Sequence, residues 1–479
     1  MKHSLSIPAI ATLSVLWLAT ASPTQAQDFN PVPTPRRFMI AGGCIAQLER
    51  FEAIPGRRYL DFADKPTDPI AFFARNGFNA GRVGDYFIYS LKAPRPDNSG
   101  DVNNRERNFR LDKDGLDRQV RTAKRLKATG QKVVLTLHFG ADGPVDNWHE
   151  YVPDAWKNLT YAEVCAEIEK KTRIYVGAYL DAGIQPDIII IGNESNSGMV
   201  YQYLGKDRKM HIRDTKTNPN DTTAGGEIRN YPKFAGFFKA AILAAKDVIK
   251  KRGLPAEKTL FSVHAASDPG VIEWMSKSIF GTDDEAPNRK HADRDQYFYY
   301  GDTRGPLMTS IPARIRDVNL RDVVDIMGGS FYPHHPAAET KEAYDKAMLP
   351  LTQQLDAMRK RLESYGKFRT GPYAGQWKKR FLIVEFGTDT DEYFTPASAE
   401  RQSRFLTHFW NSLAKYPWTI GAMWWEPTYC NNNWFADKGS LYRHDPDFAP
   451  SAATDTVRDC RPLSGVATWG KFGSRKNKR

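Results

Sequence analysis

Two glutamates far apart in the chain each stand at the end of a short apolar run. Glu194 follows the run Ile188–Ile191 and comes directly after Asn193, and Glu385 closes the run that begins at Phe381. Apolar runs of this length are typical of strands buried on both faces, as in a parallel sheet. Two carboxylates that meet at such strand ends can cleave a glycosidic bond, since one donates a proton to the leaving oxygen while the other attacks the sugar carbon.

Eight apolar segments of this kind alternate with helical patterns along the chain. Strict alternation predicts the α/β class and a single (β/α)8 TIM barrel. The rival, a doubly wound open sheet, is less favoured because no Gly-x-Gly-x-x-Gly turn follows the first strand. The predicted strands are 38–42, 79–83, 133–139, 187–192, 259–264, 324–332, 381–385 and 419–425. The clearest helical patterns cover 116–128, 161–182, 231–251, 338–365 and 397–416.

Three parts of different character divide the chain. Residues 1–26 have a positive start, an apolar stretch and a small-x-Ala cleavage site, which predicts a signal peptide and a secreted or periplasmic protein. Residues 27–465 hold the barrel, with long polar excursions at 204–229, after the fourth strand, and at 281–312, before the sixth. Residues 466–479 are rich in Lys and Arg, and we predict that they form a basic, disordered tail.

Composition narrows the possible partners. The formal net charge is +12, but no nucleic-acid-binding motif accompanies it in a chain predicted to leave the cytoplasm, so no nucleic-acid partner is expected. No segment beyond the leader reaches the roughly 20 apolar residues that cross a bilayer, so we expect no stable membrane insertion. An uncleaved leader that acts as an anchor is the alternative. No cofactor is expected, and the sequence leaves the oligomeric state open.

Metal binding and disulfides have weaker support. Four cysteines allow three full pairings in an oxidising compartment. A Cys430–Cys460 bridge is one candidate, with Cys44 and Cys165 as buried thiols. No Cys-x-x-Cys or His/Cys spacing suggests zinc, so we predict no metal site. The acidic loop at 389–392 could bind calcium, but a solvated loop is the favoured interpretation.

Polar or aromatic side chains stand at the carboxyl ends of seven successive predicted strands, from the second to the eighth. In a barrel these ends meet on one face, where active sites lie, so loop capping alone does not explain the set. Of the adjacent Trp424 and Trp425, one is expected to pack in the core and the other to offer a flat apolar face to a sugar ring. The set consists of Arg82, His138, Asn193, Glu194, His264, Tyr332, Glu385 and Trp425.

The chemistry assigns a role to each of the central residues. An acid must keep its proton near neutral pH, so Glu194 should lie near a second negative charge and be partly desolvated. A nucleophile must stay ionised, so Glu385 should accept hydrogen bonds, and Arg82 and Tyr332 are the natural donors. Asn193 would bond the sugar 2-hydroxyl, a contact that strengthens in the transition state.

The segment 185–199, Gln-Pro-Asp-Ile-Ile-Ile-Ile-Gly-Asn-Glu-Ser-Asn-Ser-Gly-Met, resembles the endo-β-1,4-galactanases of glycoside hydrolase family 53. Shorter pieces agree in order at 76–82, 123–130, 137–139, 153–159, 329–333 and 383–385. The resemblance implies a retaining barrel enzyme in which Glu194 is the acid/base and Glu385 the nucleophile. It also implies substrate contacts from Arg82, His138, Asn193, Tyr332 and Trp425, with Asp142 and His264 as looser matches.

Two departures from the family pattern lie where sugar subsites would form. After Arg82 the chain continues Val-Gly-Asp-Tyr, where the family usually has another arginine and a tryptophan. The loop after His138 lacks the family's tryptophan at the matching place, although Trp148 could replace it. The predicted substrate is therefore β-1,4-galactan (arabinogalactan type I) or a related β-linked polysaccharide such as a β-glucan, a β-mannan or an exopolysaccharide. A carbohydrate-binding barrel without catalysis is the alternative from another class.

Overall fold

The computed structural model describes residues 29–53, 55–84, 113–139, 156, 159–195, 198–200, 226–227, 231–266, 269–281, 312–388, 396–428, 442–443, 459–463 and 465–473. Several predictions concern residues outside these ranges. They are the signal peptide at 1–26, the substrate contact Asp142, the thiol Cys430, the acidic loop at 389–392 and most of both polar excursions.

Eight parallel strands close into a barrel, which confirms the predicted fold. Each strand pairs with its neighbours in chain order, and the last pairs with the first. The strand residues are buried, apart from a half-buried Lys132, because helices cover the outside and side chains fill the inside. The strands are β1 Ile40–Cys44, β2 Ala80–Val83, β3 Lys132–Leu137, β4 Ile188–Ile191, β5 Leu260–Ala265, β6 Ile326–Phe331, β7 Arg380–Phe386 and β8 Thr419–Trp424.

A helix follows each strand along the chain. Local signals set several helix ends: Asp68 caps α1, and Thr160 and Glu163 form a capping box at the start of α3. The helices are α1 Pro69–Arg75, α2 Lys113–Ala128, α3 Tyr161–Asp181, α4 Tyr231–Lys251, α5 Pro269–Phe280, α6 Lys341–Ser364, α7 Pro396–Ala414 and α8 Gly465–Gly470. Within the described ranges, no helix combines the length and apolar character that crossing a membrane requires.

Shorter elements decorate the barrel. Short helices are Leu48–Glu52, Ala256–Lys258 (a 3-10 turn), Ala313–Arg316 and Leu320–Val323. Short strands are Arg58–Tyr59, Gly198–Met199, Gly226–Glu227, Tyr442–Arg443 and Asp459–Pro462, which pair among themselves into two small sheets. The elements that flank the two polar excursions are described: 204–229 comes between β4 and α4 in the chain, and 281–312 comes between α5 and β6.

Apolar side chains form two layers that fix the strands. The inner layer fills the barrel with residues such as Val134, Ile190 and Leu382, and the outer layer lies between strands and helices. Each fully buried aliphatic side chain contributes roughly 1.5–3 kcal/mol, so the double layer holds the strand ends rigidly. Gly421 permits a close approach between β8 and β1, since a Cβ there would collide with the carbonyl of Ile40 and its φ is +134°.

The C-terminal segment packs on the barrel. The indole nitrogen of Trp469 donates to the carbonyl of Gly42 at 3.1 Å, and the Trp469 and Phe472 side chains are buried. The prediction of a disordered tail from residue 466 is therefore wrong for residues 466–473. Their apolar side chains cover the outside of β1 and β8. The prediction gave more weight to the basic residues of this segment than to its apolar ones. Residues 474–479 lie outside the described ranges.

The thiols match the prediction in part. Cys44 and Cys165 are buried and free, as expected. Cys460 is also buried and free, so the suggested bridge from Cys460 to Cys430 is not formed.

Candidate active site

The predicted site residues lie at the carboxyl ends of the strands, wherever the structure describes them. Arg82, His264 and Glu385 are in β2, β5 and β7, and the others follow a strand within three residues. Those others are His138 after β3, Asn193 and Glu194 after β4, Tyr332 after β6 and Trp425 after β8. The sequence-based expectation that strand direction would bring these side chains to one face therefore agrees with the described positions.

Glu385 is a buried carboxylate with a donor on each oxygen. Nη1 of Arg82 lies 2.5 Å from Oε1, and the hydroxyl of Tyr332 donates to Oε2 at 2.8 Å. Burial by itself raises the pKa of Glu385, but the positive charge of Arg82 and these hydrogen bonds outweigh it and lower the pKa to about 2. Glu385 is thus held in its ionised form.

Arg82 is fixed by neighbours on two other strands. Its Nε donates to the hydroxyl of Thr136 at 2.7 Å, and its Nη2 donates to Oδ1 of Asn193 at 3.3 Å. Both contacts are buried, so the guanidinium cannot swing away from Glu385. The orientation of Arg82 therefore follows from the pairing of β2, β3 and β4.

Glu194 has an unusual backbone conformation. Its φ is +41°, and Gly192, two residues earlier, has a φ of +75°. Such a φ is rare for a residue with a side chain and costs on the order of 1–3 kcal/mol. Hydrogen bonds from two backbone amides hold this turn. The amide of Glu194 donates to Nδ1 of His264 at 3.3 Å, and the amide of Ser195 donates to the carbonyl of His264 at 2.9 Å.

The Glu194 side chain accepts a short hydrogen bond from a hydroxyl that the sequence-based prediction missed. The Oγ of Ser330 donates to Oε1 of Glu194 at 2.6 Å. That Oγ also lies 2.9 Å from Nε2 of His264. Burial lowers the pKa of His264 to about 3, so the ring is neutral.

The two carboxylates come close together. One oxygen of Glu194 and one oxygen of Glu385 lie within 4.8 Å of each other. Glu194 is half-buried, whereas Glu385 is almost fully buried. The site therefore contains one recessed, ionised carboxylate and one more accessible carboxylate beside it.

The remaining predicted contacts differ in burial. Burial, reinforced by the charge of Arg82, lowers the pKa of His138 to about 3, so this ring is also neutral. Trp424 is fully buried, with its ring edge-on to Trp469 at 5.1 Å between centroids. Trp425 is half-buried. This division matches the expectation that one of the two tryptophans packs in the core.

A cation fits this arrangement poorly. Glu194, His264 and Glu385 each place an atom of ligand type within 4.8 Å of the others. However, Arg82 and Tyr332 already donate to the oxygens of Glu385, and both ring nitrogens of His264 have hydrogen-bond partners. A metal ion would have to sit beside the Arg82 guanidinium and break these contacts.

Ser330 and Thr136 support the site, and strand periodicity could have identified both. Ser330 precedes Tyr332 by two residues, and Thr136 precedes His138 by two. Successive side chains of a strand point to opposite faces, so residues two apart share a face. Neither residue is among the predicted site residues, because a small hydroxyl side chain within a strand has no distinctive sequence signal.

Comparison with known proteins gives a consistent family signal. Residues 48–284 match the profile of glycosyl hydrolase family 53. A probable arabinogalactan endo-beta-1,4-galactanase A of Neosartorya fischeri is 24% identical over 317 residues, which are 66% of this chain and 69% of the relative. An arabinogalactan endo-beta-1,4-galactanase of Thermothelomyces thermophilus is 22% identical over 351 residues, 70% of this chain and 79% of the relative.

Solved structures share the fold at low identity. A structure from a study of two fungal beta-1,4-galactanases superimposes with a TM-score of 0.53 at 19% identity, over 90% of this chain and 99% of the other. The catalytic domain of a family 53 protein from Ignisphaera aggregans gives a TM-score of 0.51 at 18% identity, over 93% and 99%. The family profile ends before Glu385, so the second glutamate rests on the fold and the contacts described above.

Proposed function

The chain belongs to glycosyl hydrolase family 53, and from this premise we propose that it is a retaining endo-β-glycosidase that cuts β-1,4-galactan or a related β-linked polysaccharide. The observation that carries the proposal is the close approach of two carboxylates that differ in burial. One oxygen of the half-buried Glu194 lies within 4.8 Å of one oxygen of the buried Glu385. Retaining enzymes hold their carboxyl groups about 5–5.5 Å apart, whereas inverting enzymes need about 6.5–9.5 Å to admit a water. The short separation favours retention.

In the first step Glu385 attacks the anomeric carbon. Arg82 and Tyr332 keep this carboxylate ionised and aim it. Glu194 gives its proton to the glycosidic oxygen, the bond from the anomeric carbon to that oxygen breaks, and one part of the polysaccharide leaves as an alcohol. The sugar stays joined to Glu385 as an ester, and Glu194 is now a carboxylate.

In the second step Glu194 acts as a base. It takes a proton from a water, the oxygen of that water attacks the anomeric carbon, and the bond to Glu385 breaks. Both glutamates return to their starting protonation states, and the configuration at the anomeric carbon is restored after two inversions. Asn193 is placed beside this centre by its contact with Arg82, which suits a bond to the sugar 2-hydroxyl.

The choice of galactan rests on the relatives, which are named arabinogalactan endo-beta-1,4-galactanases. Trp425, at the end of β8, is the candidate surface for stacking a sugar ring. We also propose that residues 1–26 direct export, so that the enzyme meets its polysaccharide outside the cytoplasm. The N-terminal sequence of protein recovered from outside the cells would check this cleavage.

The test combines a panel of polysaccharides with an analysis of the anomeric products. We expect endo-cleavage of β-1,4-galactan, with NMR detecting the β-anomer of the new reducing end before mutarotation. Glu385→Gln removes the nucleophile and should lower kcat by at least about 10⁴-fold, because nucleophile loss in comparable machinery costs on that order. It should leave polysaccharide binding largely intact.

Glu257→Gln is the matched control, since this exposed residue lies in a turn that precedes β5, at the opposite end of the strand from the site. Hydrolysis of another β-glycan but not galactan would overturn the substrate and keep the mechanism. First appearance of the α-anomer would overturn retention. A wild type that binds polysaccharide yet turns over no faster than Glu385→Gln would leave the carbohydrate-binding alternative.

A further inference from the structure

Three hydrogen bonds form a closed loop that links Glu194 to β5 and β6. The loop begins at the amide of Glu194, passes through the ring of His264 and the hydroxyl of Ser330, and returns to the carboxylate of Glu194. His264 and Ser330 are both buried, at 0% and 2% exposure. The loop of contacts is therefore shielded from water and tied to two barrel strands.

The donor or acceptor character of each atom fixes the direction of these hydrogen bonds. The amide of Glu194 can only donate, so Nδ1 of His264 is an acceptor and carries no hydrogen. The neutral ring then carries its hydrogen on Nε2 and donates it to Oγ of Ser330. The hydroxyl hydrogen of Ser330 is left to point at Oε1 of Glu194. Oε1 is thus an acceptor. Because the carbonyl oxygen of a carboxylic acid is a better acceptor than its hydroxyl oxygen, this bond favours Oε2 as the site of a proton on Glu194.

We propose that Ser330, oriented by His264, is the positioning residue for Glu194: it reserves Oε1 as an acceptor, so that the transferable proton sits on Oε2, and it stabilises the carboxylate formed when that proton leaves. The inference rests on the proposed acid/base role of Glu194. Ser330 donates to Glu194 and is oriented by His264, so its proposed effect on the reaction is exerted through Glu194.

Removing the hydroxyl has a defined sign. Glu194 is faced by Glu385 from β7, by Tyr332 and Ser330 from β6 and by His264 from β5, with Arg82 behind Glu385. Ser330→Ala leaves every charged group of that set in place and deletes one donor to the carboxylate. The ionised form of Glu194 is then less stable, so the basic limb of the kcat/KM profile moves to higher pH.

The experiment compares Ser330→Ala, Ser330→Thr and Ser262→Ala in the full chain. Ser262→Ala is the matched control, because Ser262 is a buried β5 serine that donates only to the adjacent carbonyl of Val263. Substrates are the polysaccharide that the wild type cuts and two aryl β-oligosaccharides of the same sugar, one with a dinitrophenyl and one with a phenyl leaving group. The dinitrophenyl group departs without a proton, so its release does not need the acid.

A hydrogen bond to a charged group corresponds to about a 10-fold to 100-fold effect and about one to two pH units. We expect Ser330→Ala to lose about 10-fold or more in kcat/KM on the polysaccharide and the phenyl substrate, and about twofold or less on the dinitrophenyl substrate. Its basic limb should rise by about one unit or more. Ser330→Thr and Ser262→Ala should keep the wild-type limb.

Three outcomes would overturn the role of Ser330: an unmoved basic limb in Ser330→Ala, equal losses on both aryl substrates, or the same shift in Ser330→Thr. Each would mean that the hydroxyl supports packing and not proton transfer. Failure of the underlying function looks different, since the wild type would then hydrolyse none of the substrates.

Discussion

The two ends of the barrel both contain buried charges, and β7 joins them. At the start of this strand Arg380 is 1% exposed, and near its end Glu385 is 7% exposed. At the carboxyl end, ionisable side chains bond to one another: Arg82 and Tyr332 to Glu385. At the amino end, the charges meet backbone carbonyls and aromatic rings.

The contacts at the amino end are of a fixed kind. Nζ of Lys379 donates to the carbonyls of Arg321 and Val324, at 2.5 and 2.6 Å. Nε of Arg380 donates to the carbonyl of Trp377 at 2.6 Å, and its guanidinium lies 5.4 and 4.7 Å from the ring centroids of Phe368 and Tyr373. The carbonyls do not titrate, and the carboxyl of Asp325 acts electrostatically on both cations. These contacts anchor the start of β7.

The difference teaches how one strand can support both stability and chemistry. A proton can move at the carboxyl end because each partner there is itself ionisable or hydroxylic. At the amino end the hydrogen-bond acceptors of Lys379 and Arg380 are backbone carbonyls, so these bonds anchor strands to loops. The division agrees with the general rule that barrel enzymes react at the carboxyl face and are stabilised at the amino face.

Of the substitutions that test this difference between the two ends, Arg82→Met should have the largest effect. Without the guanidinium, Glu385 remains buried with a neutral donor only, and its ionised form loses about 2–5 kcal/mol. We expect kcat/KM to fall by roughly 30-fold to 4,000-fold, because about 1.4 kcal/mol corresponds to a factor of ten. Steady-state kinetics across pH would measure this loss and a shift of the acidic limb of kcat/KM to higher pH.

The same substitution changes how stability depends on pH. In the wild type the pKa of Glu385 is lowered to about 2, below its value of about 4.3 in an unfolded chain. Glu385 therefore stabilises the fold above about pH 4.3, and this contribution is lost as the pH falls toward 2. Arg82→Met should remove that dependence. Arg380→Met is the control: it should lower the melting temperature and leave kcat unchanged. A fall in kcat for Arg380→Met would contradict the separation of the two ends.

Much of this arrangement could be predicted from the sequence because parallel strands have direction. An apolar run followed by a carboxylate, as at Glu385, assigns that residue to the carboxyl face once the fold is known. The same reasoning placed Arg82, Tyr332 and Glu194, and the structure shows their contacts. Strand ends differed by a few residues at most, as in the sixth strand, where 324–332 was predicted and Ile326–Phe331 is observed.

The rest depends on contacts that only packing reveals. The role of Ser330 comes from its position between His264 and Glu194, both of which are distant from it in the chain. The packing of Trp469 on Gly42 similarly joins the last helix to the first strand. Strand periodicity assigns Ser330 to the same face as Tyr332, but the partners of Ser330 and of Trp469 are not local in sequence, so a scan of neighbouring residues could not find these contacts.

A smaller effect is expected from Tyr332→Phe. The substitution removes one hydrogen bond to Oε2 of Glu385 but keeps the Arg82 charge. A bond to a charged group is worth about 1.5–3 kcal/mol, so the pKa of Glu385 should rise by about one to two units. The acidic limb of kcat/KM should shift to higher pH by that amount. By linkage, the free energy of unfolding near neutral pH should fall by about 1.4–2.7 kcal/mol. An unmoved limb would show that Arg82 alone sets the ionisation of Glu385.

The smallest effect should follow from Tyr373→Phe, the same chemical change at the other end. The hydroxyl of Tyr373 donates to the carbonyl of Lys258 at 2.7 Å, near the surface, while its ring packs on the apolar cluster inside the barrel and on Arg380. The variant keeps the ring and loses one neutral hydrogen bond, so the free energy of unfolding should fall by about 1 kcal/mol or less. Because the substitution leaves Glu385 and both of its donors unchanged, both limbs of the pH profile should match the wild type. Chemical denaturation and a pH series on this variant and Tyr332→Phe separate the two ends. Tyr373→Phe should change stability alone, whereas Tyr332→Phe should also shift the acidic limb. If Tyr373→Phe shifts the acidic limb, the amino end is coupled to Glu385 through β7, and the division between anchoring and reacting charges fails.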